Sequence, residues 1–395
     1  MAVLTAVLLT VTACTGPPAE EPQADPSAGR LAPPSLAPRA TLGPGEGTLN
    51  LLAPPGHVET GRTDRKVDWV TAFTRATGCK VSLTLTESPE ETLKLFGTGA
   101  YDGVAATGDV ALRLVGDGRV APLNTALVPH YAGVVPGLRS PPWSSVGGRS
   151  YGVPHGRSAT LLMWRTDKVK PAPTSWNAVY RLGSPYAGRI GVHDSPMTIA
   201  DAAVYLKATA PEVGIEDPYA LTPAQLAAAV SLLKMQRGMV GSYWRDYTQQ
   251  LPAFAGGSTV IGSATQATVE LLRAGKTPVA ATLPAEGTTG TSTTWMLATK
   301  AKHPVCMYRW MDHILGPAVN ARAAEWLGIA PATAAACRKT VDPRWCATTH
   351  ATDEPYWAKV AIWRTPLSDC LRPGAPATGC TDYAAWRTAW RQVVT

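Results

Sequence analysis

Thr48-Leu49-Asn50-Leu51-Leu52-Ala53-Pro54-Pro55-Gly56 is the stretch on which the fold turns. A short apolar run closed by a Pro-Pro-Gly break reads as a strand with a loop opening at its carboxyl end. Beyond it, Trp69, Val70 and Phe73 make one face of a helix that stops at Gly78, a residue suited to the left-handed turn that ends helices. Val81, Leu83 and Leu85 then alternate with polar neighbours, as a strand does. Ser88-Pro89-Glu90-Glu91 predicts a capping box with proline in the first helical position, and Tyr101 to Ala106 supplies a third strand. Strands alternating with helices imply a parallel sheet covered on both faces, with ligands bound at the carboxyl ends of the strands. The loops after Ala53 and Ala106 are therefore the expected walls of a site.

Further along, a second α/β stretch runs from about Tyr151 to Ala281, with apolar-periodic helices over Ile199 to Ala208 and Pro223 to Met235. The chain from Thr294 returns to the first unit. The expected fold class is α/β, with a hinge between two mixed sheets flanked by helices. Two helices are expected in the tail, over Asp353 to Trp363 and Asp382 to Val394. In the latter, Tyr383, Trp386 and Trp390 recur at helical spacing and read as core.

Working backwards, Ala2 to Val11 is apolar and leads into Val11-Thr12-Ala13-Cys14, the pattern of a lipoprotein cleavage site. Residues 14–47 are rich in Pro, Ala, Gly and Glu and read as a disordered tether. The organisation expected is a signal peptide over 1–13, the tether over 14–47 and a first lobe over 48–150. A second lobe over 151–285, a return to the first over 286–330, and C-terminal helices with disulfides over 331–395 complete it. Such a chain would lie at the extracytoplasmic face of the membrane, held by lipid on Cys14. The net charge of +7 is scattered, with no basic run longer than two residues, which argues against a nucleic-acid surface. A monomer is expected.

Leaving Cys14 aside, six cysteines remain, an even number in an exported chain. Cys337 with Cys346 and Cys370 with Cys380 form two close pairs across loop-like sequence, and local closure leaves Cys79 with Cys306. No CxxC, HExxH, GxSxG or Walker A pattern occurs, so no metal or other cofactor and no enzymatic activity is expected. The alternative of a secreted hydrolase would rest on His155 with Ser158, helped by Asp194.

A resemblance then becomes specific. It is carried in order by Asp68-Trp69-Val70-Thr71, Thr77-Gly78-Cys79-Lys80-Val81, Tyr101-Asp102-Gly103-Val104, Tyr151 to Arg157 and Pro173-Thr174-Ser175-Trp176. Asp194-Ser195-Pro196 with Ile199-Ala200-Asp201, Tyr243 to Tyr247, Thr294-Trp295-Met296 and Cys306-Met307-Tyr308 continue it. Leu49 to Thr340 resembles the extracellular solute-binding proteins of ABC importers, within them the spermidine/putrescine-binding branch and its actinobacterial lipoproteins. The resemblance implies a two-lobed, periplasmic-binding-protein-like fold that closes on a small polar solute, a polyamine or a related compound, and docks on permease subunits. A sensor or scavenger of another solute, built on the same fold, is the other reading.

Mapped residue by residue, the resemblance implies a site formed by His57, Glu59, Asp109, His155, Arg157, Asp194, Tyr243, Trp244, Asp246, Gln266, Thr291 and Thr293. Acids would pair the ammonium ends of a polyamine, and aromatic faces would hold its methylene stem. Thr265, Thr291 and Thr293 stand where relatives place Trp, Trp and Asp, and the Trp usual near Pro54 is missing. Arg157 and His155 add positive character to the expected site.

Overall fold

The computed structural model describes Leu31, residues 33–370 and residues 379–395; Cys14 and the segment expected as a signal peptide lie outside the described residues. Strands β1 (Thr48–Ala53), β2 (Lys80–Leu85) and β3 (Gly103–Ala106) alternate with helices α1 (Val70–Thr77), α2 (Pro89–Phe96) and α3 (Gly108–Gly116). In β1, Leu49, Leu51, Leu52 and Ala53 are all fully buried, which is why the strand reads as a continuous apolar run: helices cover both faces of the sheet. β1 pairs in parallel with β2 and β3, with Leu49 beside Val81 and Leu51 beside Gly103. The returning strand Thr294–Leu297 runs antiparallel to β3, and Val153–Pro154 closes the far edge of this five-stranded sheet.

Local rules set the boundaries. Gly78 ends α1 with φ of 74° and donates its N–H to the Thr74 carbonyl. Ser88 Oγ accepts from the Glu91 N–H at the start of α2, but the Glu91 carboxylate takes the N–H of Glu87 rather than that of Ser88. At Gly103 any side chain would collide with Met307, since a Cβ would lie 2.2 Å from its sulfur. Glycine there lets the helix Pro304–Leu315 lie flat on β3.

A second five-stranded sheet holds Val240–Trp244, Ile190–His193, Ile261–Ala264, Leu161–Arg165 and Val279–Thr282, in that order. The helices Thr198–Thr209 and Pro223–Arg237 pack on it, the latter started by a Thr222/Gln225 capping box. The C-terminal helix Tyr383–Val394 joins the same core through Tyr383, Trp386 and Trp390, all buried.

Between the two lies a four-stranded sheet in the order Ala330–Pro331, Gly156–Ala159, Thr288–Thr291 and Val360–Ile362. Its two middle strands are the segments by which the chain leaves the first sheet and comes back to it. Here the tail departs from expectation. Within Asp353 to Trp363 only Glu354–Trp357 is helical, while Val360–Ile362 is extended because it pairs in parallel with Thr288–Gly290.

The segment expected as tether also differs in its second half. Leu42 packs on the first core, and the Glu46 carboxylate accepts the Val305 and Cys306 N–H groups at 3.0 and 2.9 Å, capping the helix Pro304–Leu315. A free helix end attracts an anion strongly enough to hold this otherwise polar strap. Disulfides join Cys79 to Cys306, Cys337 to Cys346 and Cys370 to Cys380. Among the described residues no helix is long and apolar enough to cross a membrane.

Candidate functional site

A cavity of about 750 Å³ lies between the lobes. The first lobe contributes Pro55, Gly56 and Glu59 from the loop after β1, with Glu325, Trp326 and Leu327 from the end of the helix Pro317–Leu327. The linking sheet contributes Ser158, Ala159 and Thr291, with Trp363 just beyond its last strand. The second lobe supplies His193, Asp201, Trp244, Arg245, Asp246 and Thr265. Gly56 has φ of 85°, which only glycine adopts without strain, and a Cβ there would press on Leu327 at 3.0 Å.

The aromatic walls come from unexpected places. Trp244, His193 and Trp363 stack in a ladder, with centroids 4.5 and 5.7 Å apart and ring planes 29° and 18° from parallel. From the other lobe, Trp326 donates its indole N–H to Glu59 Oε1 at 3.2 Å. These rings supply faces that the threonines at 265 and 291 do not.

The ionisable side chains of the cavity are mostly acidic. Glu59, Asp201, Asp246 and Glu325 line it, against Arg245, whose guanidinium already pairs with Asp194 at 2.9 Å. Asp246 caps the helix Tyr247–Gly256, and hydrogen bonding from Thr248 holds its carboxyl below the usual range. Glu325 accepts the Asp342 N–H on one oxygen, and its other oxygen is buried with no partner among the described residues. Burial pushes His193 down to about 4, so the ladder is uncharged near neutral pH. Burial pushes Asp201 up to about 7.

Of the residues expected here, Glu59, Trp244, Asp246 and Thr291 line the cavity. The others lie elsewhere. Asp109 does not face the cleft, because the tail covers the end of β3. Thr365 Oγ1 donates to the Gly108 carbonyl, Tyr383 Oη donates to Asp109 at 3.4 Å, and a Cβ on Gly108 would lie 1.9 Å from the Trp363 carbonyl oxygen. The Arg157 guanidinium is buried, paired with Glu354 at 2.9 Å and laid 4.2 Å over the Trp357 ring. Its charge is therefore spent on the tail.

His155 is fully buried, accepts the Trp295 indole N–H at 3.0 Å and meets His57 edge to face at 5.3 Å. Desolvation holds both rings well below the ordinary imidazole value, His57 at about 4, so neither brings positive charge. His57 also contacts Thr293 Oγ1 at 3.2 Å, which draws Thr293 behind the wall rather than into it. Tyr243 packs edge to face on Trp390, whose indole N–H binds Asp194 at 2.9 Å. Gln266 turns along its own helix to Glu270. Among the described residues the Ser158 hydroxyl has no partner, and neither His155 nor Asp194 reaches it, so these three do not come together as nucleophile and base.

Asp201, Glu325, Trp326 and Trp363 were missed from sequence. A lone acid inside the otherwise apolar run Thr198 to Val204 is a signal that could have found Asp201. Trp363 carried none, since its place depends on strand pairing with a segment some seventy residues earlier. Among the described residues no cluster of His, Cys, Asp and Glu is arranged to hold a metal.

Comparison with known proteins agrees with this architecture. The family described as bacterial extracellular solute-binding protein matches residues 68–351. The spermidine/putrescine substrate-binding protein PotD of Streptococcus pneumoniae superposes with a TM-score of 0.69 at 13% identity, over 88% of this chain and 97% of that one. The TpPotD lipoprotein of Treponema pallidum gives 0.69 at 15%, over 88% and 99%. MotA of Agrobacterium tumefaciens, solved with glucopine, gives 0.65 at 15%, over 88% and 100%. At such identities the structures speak for the two-lobed fold alone, while the sequence family covers most of the chain. The chain belongs to the bacterial extracellular solute-binding proteins.

Proposed function

We propose that this chain is the substrate-binding component of an ABC importer, anchored through Cys14 outside the cell membrane, and that its cleft captures a small cationic amine of the polyamine kind. The observation that carries the reading is the charge balance of the cavity. Among the described residues four acidic side chains line it, while the one arginine beside them, largely exposed, pairs with Asp194. Three tryptophans offer faces for a methylene stem and for cation–π attraction, worth about 0.5 to 2 kcal/mol each. The histidines and Arg157, which would have favoured an anion, are neutral or paired away from the cavity. Neighbours of the same fold are named as a spermidine/putrescine substrate-binding protein and as a binding protein in complex with glucopine, so the fold tolerates several solutes and the choice rests on the lining.

The test is a thermal-shift screen of the Cys14→Ser protein against spermidine, putrescine, amino acids, small carboxylates and sugars. A ligand at 100 times its Kd adds about 2.7 kcal/mol, a rise of a few degrees in a protein of this size. Spermidine or putrescine is expected to give that rise. A shift with carboxylates or sugars and none with any amine would overturn the reading.

A further inference from the structure

We propose that Asp201 is the anionic anchor of the cleft, receiving the ammonium group of the solute at the cavity floor and giving up a proton as it does so. This rests on the amine reading above and names the residue that decides it.

The geometry is unusual for a structural acid. Asp201 sits in the first turn of the helix Thr198–Thr209, is more than nine-tenths buried, and still lines the interlobe cavity. One of its oxygens accepts the Thr289 hydroxyl. Among the described residues the other has no hydrogen-bond partner and no cation pairs with it. A buried carboxylate is ordinarily paired or neutral, because an isolated buried charge is costly. Here no counter-charge is supplied among the described residues, and Asp201 lines a cavity that can deliver one.

Among the described residues the surroundings supply no substitute. Tyr180 and Tyr219 are the titratable groups close enough to feel its charge, and burial holds both phenols neutral. Arg364, 5.9 Å from the Tyr219 ring, is paired with Asp217. His193 on the neighbouring strand lines the same cavity and is uncharged near neutrality. With burial raising its carboxyl to about 7, Asp201 in the empty cleft is largely protonated below that pH. An arriving R–NH3⁺ stabilises the carboxylate, so the carboxyl O–H bond breaks, the proton passes to solvent and the ion pair forms.

Thr289 gives the anchor a second property. Its hydroxyl also receives the Trp363 indole N–H at 3.3 Å and lies 3.2 Å from the Thr160 hydroxyl. Thr289 belongs to a middle strand of the linking sheet, so the charge state of Asp201 is felt where the lobes join.

The experiment is titration calorimetry with putrescine and spermidine in two buffers of different ionisation enthalpy, between about pH 6 and pH 8.5. The wild-type protein is expected to release about one proton per amine near pH 6 and few near pH 8.5, with affinity falling about tenfold per pH unit below 7. Asp201→Asn should abolish the release and weaken binding at least tenfold. Thr289→Val, which removes the donor that favours the carboxylate, should move the midpoint of proton release upward. If the wild-type protein binds amines but neither variant alters proton release or affinity, the anchor is wrong and the amine reading stands. If it binds no amine at all, both fall together.

Discussion

The loops that follow β1 and β3 leave the same sheet, in the same direction, from adjacent strands, and meet opposite fates. The first, around Pro54 to Glu59, forms a wall of the cleft. The second, Thr107 to Asp109, is sealed by Thr365, Tyr383 and the Trp363 carbonyl. Strand polarity makes the end of a parallel sheet available for binding. What packs there afterwards decides whether the offer is taken, and here a C-terminal segment remote in sequence takes one of the two places.

That contrast can be broken by substitution. The largest effect is expected at the sealed loop: Gly108→Ala puts a methyl group against backbone, and a loss of about 4 kcal/mol should appear as a lowered urea midpoint. Gly56→Ala, with positive φ but space bounded by a leucine side chain, should cost only about 1 to 2 kcal/mol. Equal losses would mean that the two loops are not differently packed.

A pH titration sharpens the comparison from the open side. His57, buried within the first loop, has its folded value held down to about 4 against 6.5 in the unfolded chain. The unfolded state therefore binds more protons in this window, and stability is lost as pH falls from about 6.5 towards 4. His57→Gln should flatten that slope by up to about 3 kcal/mol, read from melts across the range. An unchanged slope would show that the ring is not kept neutral by its burial. Smallest is Trp326→Ala, which removes a ring facing the first loop and leaves Glu59 without its indole donor. Spermidine affinity measured by calorimetry should fall about tenfold, and a variant binding as tightly as the parent would remove Trp326 from the site.

The same contrast explains what the sequence disclosed. β1, α1, β2, α2 and β3 were legible because each carries its own signal: the apolar run at Leu49 to Ala53, Gly78 at a helix end, Ser88 before Pro89. Two disulfides were legible as close pairs, and Cys79 with Cys306 followed by elimination. Glu59 and Asp246 could be named because the family resemblance carries over the segments that hold them, the loop after β1 and the run Tyr243 to Tyr247. Asp109 was misplaced because nothing local announces that Tyr383, some 270 residues later, will cover it. Asp201 and Trp363 stayed hidden for the same reason: their neighbours are fixed by packing between lobes, which no short window contains.

The four-stranded sheet between the lobes has a mechanical consequence. Two bare crossings would act as a pair of free joints, letting the lobes swing with little restoring force. Strands from Ala330–Pro331 and Val360–Ile362 flank those crossings and share their hydrogen bonds, so any change of lobe angle must flex all four strands together. The connection is then a leaf spring with a preferred rest angle. Elastic recoil stored on closing would be returned on opening, which sets a floor under how fast the cleft can empty.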